Sequence, residues 1–294
     1  MNKPSTKGAR LRTLAATPFP NNHVMRRLLA SLCGLLVAGG LFAPTAQAAF
    51  ASNSGWQVSC TLAARASNDP IVFPGQPGAS HSHDFFGNKT TDASSTPASL
   101  LGQPTTCKLT TDAAAYWAPT LYVNGVAVQP EKVVAYYRTK VGPVQQAMPA
   151  GLKVIAGDSH ATAAQPLTVT YYNCDSGPDQ HESALPYACP GSVLDSHIKF
   201  PQCWDGVNLD SADHKSHMAY PVNGSCPATH PVSVPQLIMR ISWMTQAGTG
   251  FTLASGSPYT MHADFMNGWD QAKLEQLTRD CMNAGIDCGT QLSP

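Results

Sequence analysis

The residues in this 294-residue chain best suited to chemistry are histidines and aspartates that recur in short polar motifs. His81-Ser82-His83-Asp84-Phe85-Phe86-Gly87 comes first. The stretch from Asp205 to Tyr220 follows and holds Asp210, Asp213, His214, Lys215 and His217. His230 sits in Cys226-Pro227-Ala228-Thr229-His230-Pro231, and His262-Ala263-Asp264-Phe265 comes last. On a strand, His81 and His83 face the same side. His214 and His217, three apart, share a helical turn or a tight loop. An imidazole titrates near neutrality, so one of these can act as general base. Catalytic candidates are therefore His81, His83, His214, His217, His262 and Asp264. The same side chains can instead hold a divalent metal with one position left for water. The ligand set expected for that case is His81, His83 and His217, with His262 or Asp264 as further candidates. The competing reading is that the histidines only hydrogen-bond loops.

Other chemistries find less support. There is no H-E-x-x-H and no G-x-S-x-G. A glycosidase needs two carboxylates facing one bond, and Asp158, Asp205, Asp210, Asp213, Asp264 and Asp270 are available, although loop aspartates commonly make Asx-turns. β-Elimination on an acidic polysaccharide needs a base, a proton donor and a cation. Tyr136 or Tyr137 can donate, and Arg138 or Lys215 can neutralise a uronate. Trp117 and Trp269 offer rings on which sugars stack, but tryptophan equally fills β cores. The substrate-binding candidates are Trp117, Tyr137, Arg138, Lys215 and Trp269.

The elements that must position these residues are short. Trp117–Val123 meets Val126–Val128 across Asn124-Gly125, a strong hairpin signal because both residues tolerate positive φ. Val133–Arg138, Leu152–Ala156, Leu167–Tyr172, His197–Phe200, Gln236–Trp243 and Phe251–Ala254 read as further strands, separated by turn residues. One helix is expected over Gln271–Asn283, with Asp270 as N-cap and Leu274, Leu277 and Cys281 on one face. Residues 87–106 read as one long surface loop. The fold class expected is mainly β: a single antiparallel sandwich or jelly-roll-like domain with long loops and a C-terminal α-helix.

The N-terminus reads as an export signal. Six basic residues lie within 1–27, an apolar run spans Leu28–Phe42, and Ala46-Gln47-Ala48 is an A-x-A site. The run is shorter than the ~20 residues a membrane helix needs. Cleavage after Ala48 leaves a domain over 49–294, and Met25 is an alternative start. All 18 acidic residues lie beyond the leader, whereas six of the 18 basic ones lie inside it. An acidic domain without a Lys/Arg run is a poor nucleic-acid binder. A secreted or periplasmic monomer is expected. Eight cysteines follow the leader, an even number that implies four disulfides. Among 105 combinations the simplest joins neighbours: Cys60–Cys107, Cys174–Cys189, Cys203–Cys226 and Cys281–Cys288.

In order, the motifs form a recognisable set: His81-Ser82-His83-Asp84-Phe85-Phe86-Gly87, Tyr116-Trp117-Ala118-Pro119-Thr120-Leu121-Tyr122, Phe200-Pro201-Gln202-Cys203-Trp204-Asp205-Gly206, Asp213-His214-Lys215-Ser216-His217-Met218-Ala219-Tyr220-Pro221 and His262-Ala263-Asp264-Phe265-Met266-Asn267-Gly268-Trp269-Asp270. The chain resembles the DUF1996 family, secreted domains of unknown function shared by bacteria and fungi. Fungal members are often joined to WSC modules that are thought to bind cell-wall glycans. The resemblance spans about residues 56–288. It implies a secreted β-rich domain associated with glycan, and it implies that the His/Asp motifs converge in space. One departure is Asp-Phe-Phe after His81-Ser82-His83, where the family more often has other residues. The expected function is action on extracellular or cell-wall polysaccharide, as hydrolase or lyase. The alternative is a non-catalytic glycan- or wall-binding protein.

Overall fold

A computed structural model describes residues 54–139, 146–174, 181–183, 189, 193–245 and 250–290. The leader and cleavage site expected over 1–48 lie outside the described residues. Two five-stranded antiparallel sheets form the frame. In chain order their strands are β1 (Gly55–Cys60), β2 (Leu62–Ala66), β3 (His83–Gly87), β4 (Ala115–Pro119) and β5 (Pro130–Arg138). Then come β6 (Lys153–Gly157), β7 (Thr170–Cys174), β8 (Leu194–Lys199), β9 (Gln236–Trp243) and β10 (His262–Met266). One sheet runs β1-β5-β9-β8-β7 and the other β2-β3-β4-β10-β6. Sequence-distant strands thus sit side by side, and among the described residues there is no closed barrel.

The sheets pack on one shared core. The first contributes Trp56, Val58, Ala135, Tyr137, Leu237 and Met239, and the second Phe86, Tyr116, Ala118, Val154, Ala263 and Phe265. Burying each large apolar side chain contributes roughly 1.5–3 kcal/mol. The fold is the antiparallel, mainly β arrangement expected. A buried polar chain crosses the core: Trp269 Nε1 donates to Tyr137 Oη (2.9 Å), the Tyr137 and Tyr116 hydroxyls are 2.7 Å apart, and Tyr116 donates to Asp112 (2.8 Å). Burial pushes the Asp112 carboxyl up to about 7, against the pull of the Tyr116 hydroxyl and the Ala114 N–H.

The second sheet is covered on its other face as well. There Phe85 and Trp117 stack at 5.5 Å between ring centres. They pack with Ile71, Leu100, Ala115 and Met266 in a separate apolar cluster. Part of the expected surface loop of 87–106 folds in here. Asn88, 1% exposed, donates to the Leu100 and Ala113 carbonyls, and Thr96 caps a helical turn over Pro97–Leu100.

The C-terminal helix α1 (Gln271–Leu277) begins where expected, with the Asp270 carboxylate accepting from Lys273 N (2.9 Å). It continues as a π-helical turn over Thr278–Asn283, and Leu274, Leu277 and Cys281 are buried. The four disulfides join consecutive cysteines: 60–107, 174–189, 203–226 and 281–288. No described helix is long and apolar enough to cross a membrane.

Candidate functional site

His83 and His262 are the first residues of β3 and β10, the two strands that flank β4. His83 pairs with Pro119 of β4, and Asp264 pairs with Trp117 two positions further in. Alternation along the strands therefore puts His83, His262 and Asp264 on the outer face of this sheet, beside the Phe85–Trp117 stack. His81 precedes β3 and folds back over the same spot. Its Nε2 lies 3.2 Å from His262 Nε2, and His83 Nε2 lies 3.4 Å from that same atom.

The opposite ring nitrogens are fixed. His83 Nδ1 is 2.9 Å from the Asn68 carbonyl, and His262 Nδ1 is 2.8 Å from the Thr260 carbonyl. A carbonyl oxygen only accepts, so each Nδ1 carries the hydrogen and each Nε2 turns a lone pair toward the cluster. Burial also lowers all three imidazoles, His262 to about 3, His83 well below its usual value, and His81 with help from nearby His160. They are neutral at physiological pH.

Two carboxylates adjoin the imidazoles. Oxygens of Asp69 and Asp264 and a ring nitrogen of His83 lie within 4.8 Å of one another. Asp69 closes a turn by accepting from the Ile71 and Val72 amides (3.0 and 2.9 Å). Asp264 is 1% exposed, and its Oδ2 has no partner among the described residues. Burial raises both carboxyls, and the Asp69 charge raises Asp264 further.

Above the cluster opens a cleft of about 380 Å³, lined by His81, His262, Asp69 and Asp264 at its floor and by Ser80, Asp158, His160, Asp213, Lys215 and Ser255 on its walls. His214, at φ +58°, lines it too and places Nδ1 2.8 Å from Asp210. Lys215 Nζ donates to the Gly157 carbonyl (2.9 Å) at the rim.

Other candidates go elsewhere. His217 does not join His81 and His83; its Nε2 lies 2.7 Å from the Lys153 carbonyl and its Nδ1 2.9 Å from Ser211 Oγ. With both nitrogens occupied it staples the 211–217 loop to β6, and His262 takes the position that the expected set His81, His83 and His217 gave it. Trp117 is fully buried against Phe85 rather than offered to a sugar. Tyr137 and Trp269 are fully committed to the core network and cannot donate to a substrate. Arg138 lies on the other sheet and pairs with Asp287 (3.1 Å). Of the six carboxylates weighed for glycosidase chemistry, Asp158, Asp213 and Asp264 line the cleft. Asp205 closes a turn onto Val207 and Asn208, Asp210 pairs with Lys153 (3.0 Å), and Asp270 caps α1.

Asp69 and His160 were not singled out by sequence. Asn68-Asp69-Pro70 reads as an ordinary turn, which it also is, and only the fold brings it beside Asp264. A family model described as Domain of unknown function (DUF1996) matches residues 69–269, a span that holds the whole cluster. No curated protein and no solved structure matches the chain.

Proposed function

The chain belongs to the DUF1996 family, whose description assigns no activity, and we propose that its His/Asp cluster is the reaction centre of an enzyme acting on extracellular or cell-wall polysaccharide. The observation that carries this reading is the meeting of His81, His83 and His262 with Asp69 and Asp264, all of which except His83 line one cleft. Structural histidines hold separate loops, as His217 does; they do not turn nitrogen lone pairs toward a common point. The neutral imidazoles can activate water or a sugar carbon in one of two ways, His81 accepting the proton as the least buried of the three or the trio holding a metal ion that polarises the reacting group. The walls present hydroxyls and charges, which suits a hydroxyl-rich ligand, and the Lys215 ammonium suits a uronate. Four disulfides fit an oxidising compartment.

The second reading, a non-catalytic wall-binding protein, draws on the carbonyl bonds of His83 and His262, which also hold loops. A panel of polysaccharides assayed for new reducing ends and for unsaturated products separates the two. The enzyme reading expects product with wild type and its loss in His81→Ala. A panel in which glycans are bound but never cleaved would sink it in favour of the binding role.

A further inference from the structure

We propose that His81, His83 and His262 bind one divalent transition-metal ion through their Nε2 atoms. The inference concerns the cluster proposed above as the reaction centre. It rests on that reading for the ion's role and on geometry alone for its binding.

Both carbonyl contacts oblige His83 and His262 to keep their hydrogens on Nδ1. Their Nε2 lone pairs then face each other across 3.4 Å with no hydrogen between them. Two acceptors at that distance repel. The gap is too small for a bridging water, which needs about 2.8 Å to each partner. A cation between the lone pairs removes the conflict. Imidazole ligands lie about 2.05 Å from zinc, so the edge of a tetrahedron of such nitrogens is about 3.3 Å. The His81–His262 and His83–His262 separations of 3.2 and 3.4 Å bracket that value. The Nδ1–carbonyl bonds are also the outer-shell contacts that orient metal-binding histidines.

The donor set narrows the ion. Three imidazole nitrogens select zinc, copper, nickel or iron over calcium and magnesium, which prefer oxygen cages. Asp264 adds a carboxyl oxygen without a partner among the described residues. Asp69, His83 and Asp264 also sit at ligand spacing. The two carboxyl groups therefore lie close enough to His83 to balance the charge of an ion held by the trio. The grouping of Cys60, Cys107 and Asp112 carries no metal, since both sulfurs are in a disulfide. His81 and His262 line the cleft, so the ion is reachable from it.

The test is zinc titration of the full secreted domain, stripped with chelator, followed by calorimetry and by metal analysis after dialysis. Cobalt substitution gives a visible spectrum that reports nitrogen coordination without any substrate. One ion per chain is expected, with a zinc-dependent rise in melting temperature. His83→Ala and His262→Ala should weaken binding beyond the 10- to 100-fold, roughly, that loss of an outer-shell partner costs. His81→Ala, at the less buried ligand, covers the case in which the buried variants do not fold. His160→Ala in the cleft wall should leave stoichiometry and affinity unchanged. No zinc uptake by folded wild type, or equal loss in His160→Ala, overturns the inference. Polysaccharide cleavage that persists in metal-free protein would overturn the metal and leave the enzyme reading standing. One tightly held ion with no cleavage of any glycan would do the reverse.

Discussion

Replacing Gly157 by alanine tests the geometry of the cluster without altering any of its side chains. Gly157 ends β6 and pairs with His262 of β10. Its φ is +82°, and a Cβ there would lie 2.5 Å from the Met261 carbonyl oxygen and 2.9 Å from His262 Cα. Ordinary contact begins at 3.4 Å, so the backbone carrying His262 must retreat by 0.5 to 0.9 Å. Metal sites tolerate about 0.2 Å in ligand distance, and a misplacement of about 1 Å can cost on the order of 100-fold in rate. The left-handed conformation costs an L-residue roughly 1–2 kcal/mol, and overpacking adds about 1–3 kcal/mol. Gly125→Ala is the matched control, with φ +78° and nothing within 4 Å of the added carbon. In urea denaturation Gly125→Ala should lose about 1–2 kcal/mol and Gly157→Ala about 2–5 kcal/mol. Only Gly157→Ala should lose zinc affinity and any cleavage activity. Gly157→Ala protein that binds zinc as tightly as Gly125→Ala would refute the argument that this backbone contact positions His262.

Further outcomes follow from the buried polar groups and the disulfides. Asp112 holds its proton to about pH 7 when folded and releases it near 3.9 when unfolded. Stability from this group is complete below the unfolded value and is lost as pH rises toward 7, by up to about 4 kcal/mol. Asp112→Asn should remove that slope, visible as a difference between the two proteins in urea midpoints measured from pH 4 to 8. Arg65 pairs with buried Asp84 (Nη2 to Oδ2 3.0 Å) across β2 and β3. Arg65→Met should therefore cost about 3–5 kcal/mol in chemical denaturation, largely restored by adding Asp84→Asn. Removing Cys60–Cys107, which closes 47 residues, should cost about 4 kcal/mol, against about 2 for Cys281–Cys288, which closes seven. Equal losses would argue against an unfolded-state origin.

Much of the frame is legible in the sequence, and the site much less so. Gln236–Trp243 is a strand to the residue, and Asn124-Gly125 turns a hairpin with positive φ at both positions. Asp270 caps the helix it was expected to cap. The strands that carry the cluster were not foreseen. In β3 and β10 all five residues are buried, because one face meets the shared core and the other lies under the covering loops. Such strands show no alternation of polar and apolar residues, and the period that reveals a half-exposed strand is missing. The third imidazole illustrates the same limit. His217 lies in a dense His/Asp motif and looks the better ligand on paper. Which of His217 and His262 meets His83 depends on which strand lies next to β4, and strand order is a long-range property. Trp117, Tyr137 and Trp269 look like sugar platforms by type, but the core claims them.

The disulfides have a consequence for how the chain is oxidised. Each cysteine from Cys60 onward pairs with the next or the previous one in sequence, and no bridge encloses another. A chain that meets an oxidant progressively from its N-terminus therefore forms every native bridge by joining the two most recently exposed thiols. Native connectivity then requires no reshuffling, and no bridge has to wait for β3 and β10 to find their places beside β4. The slow step left is the non-covalent pairing of strands distant in sequence, so folding should depend on strand register more than on a disulfide isomerase.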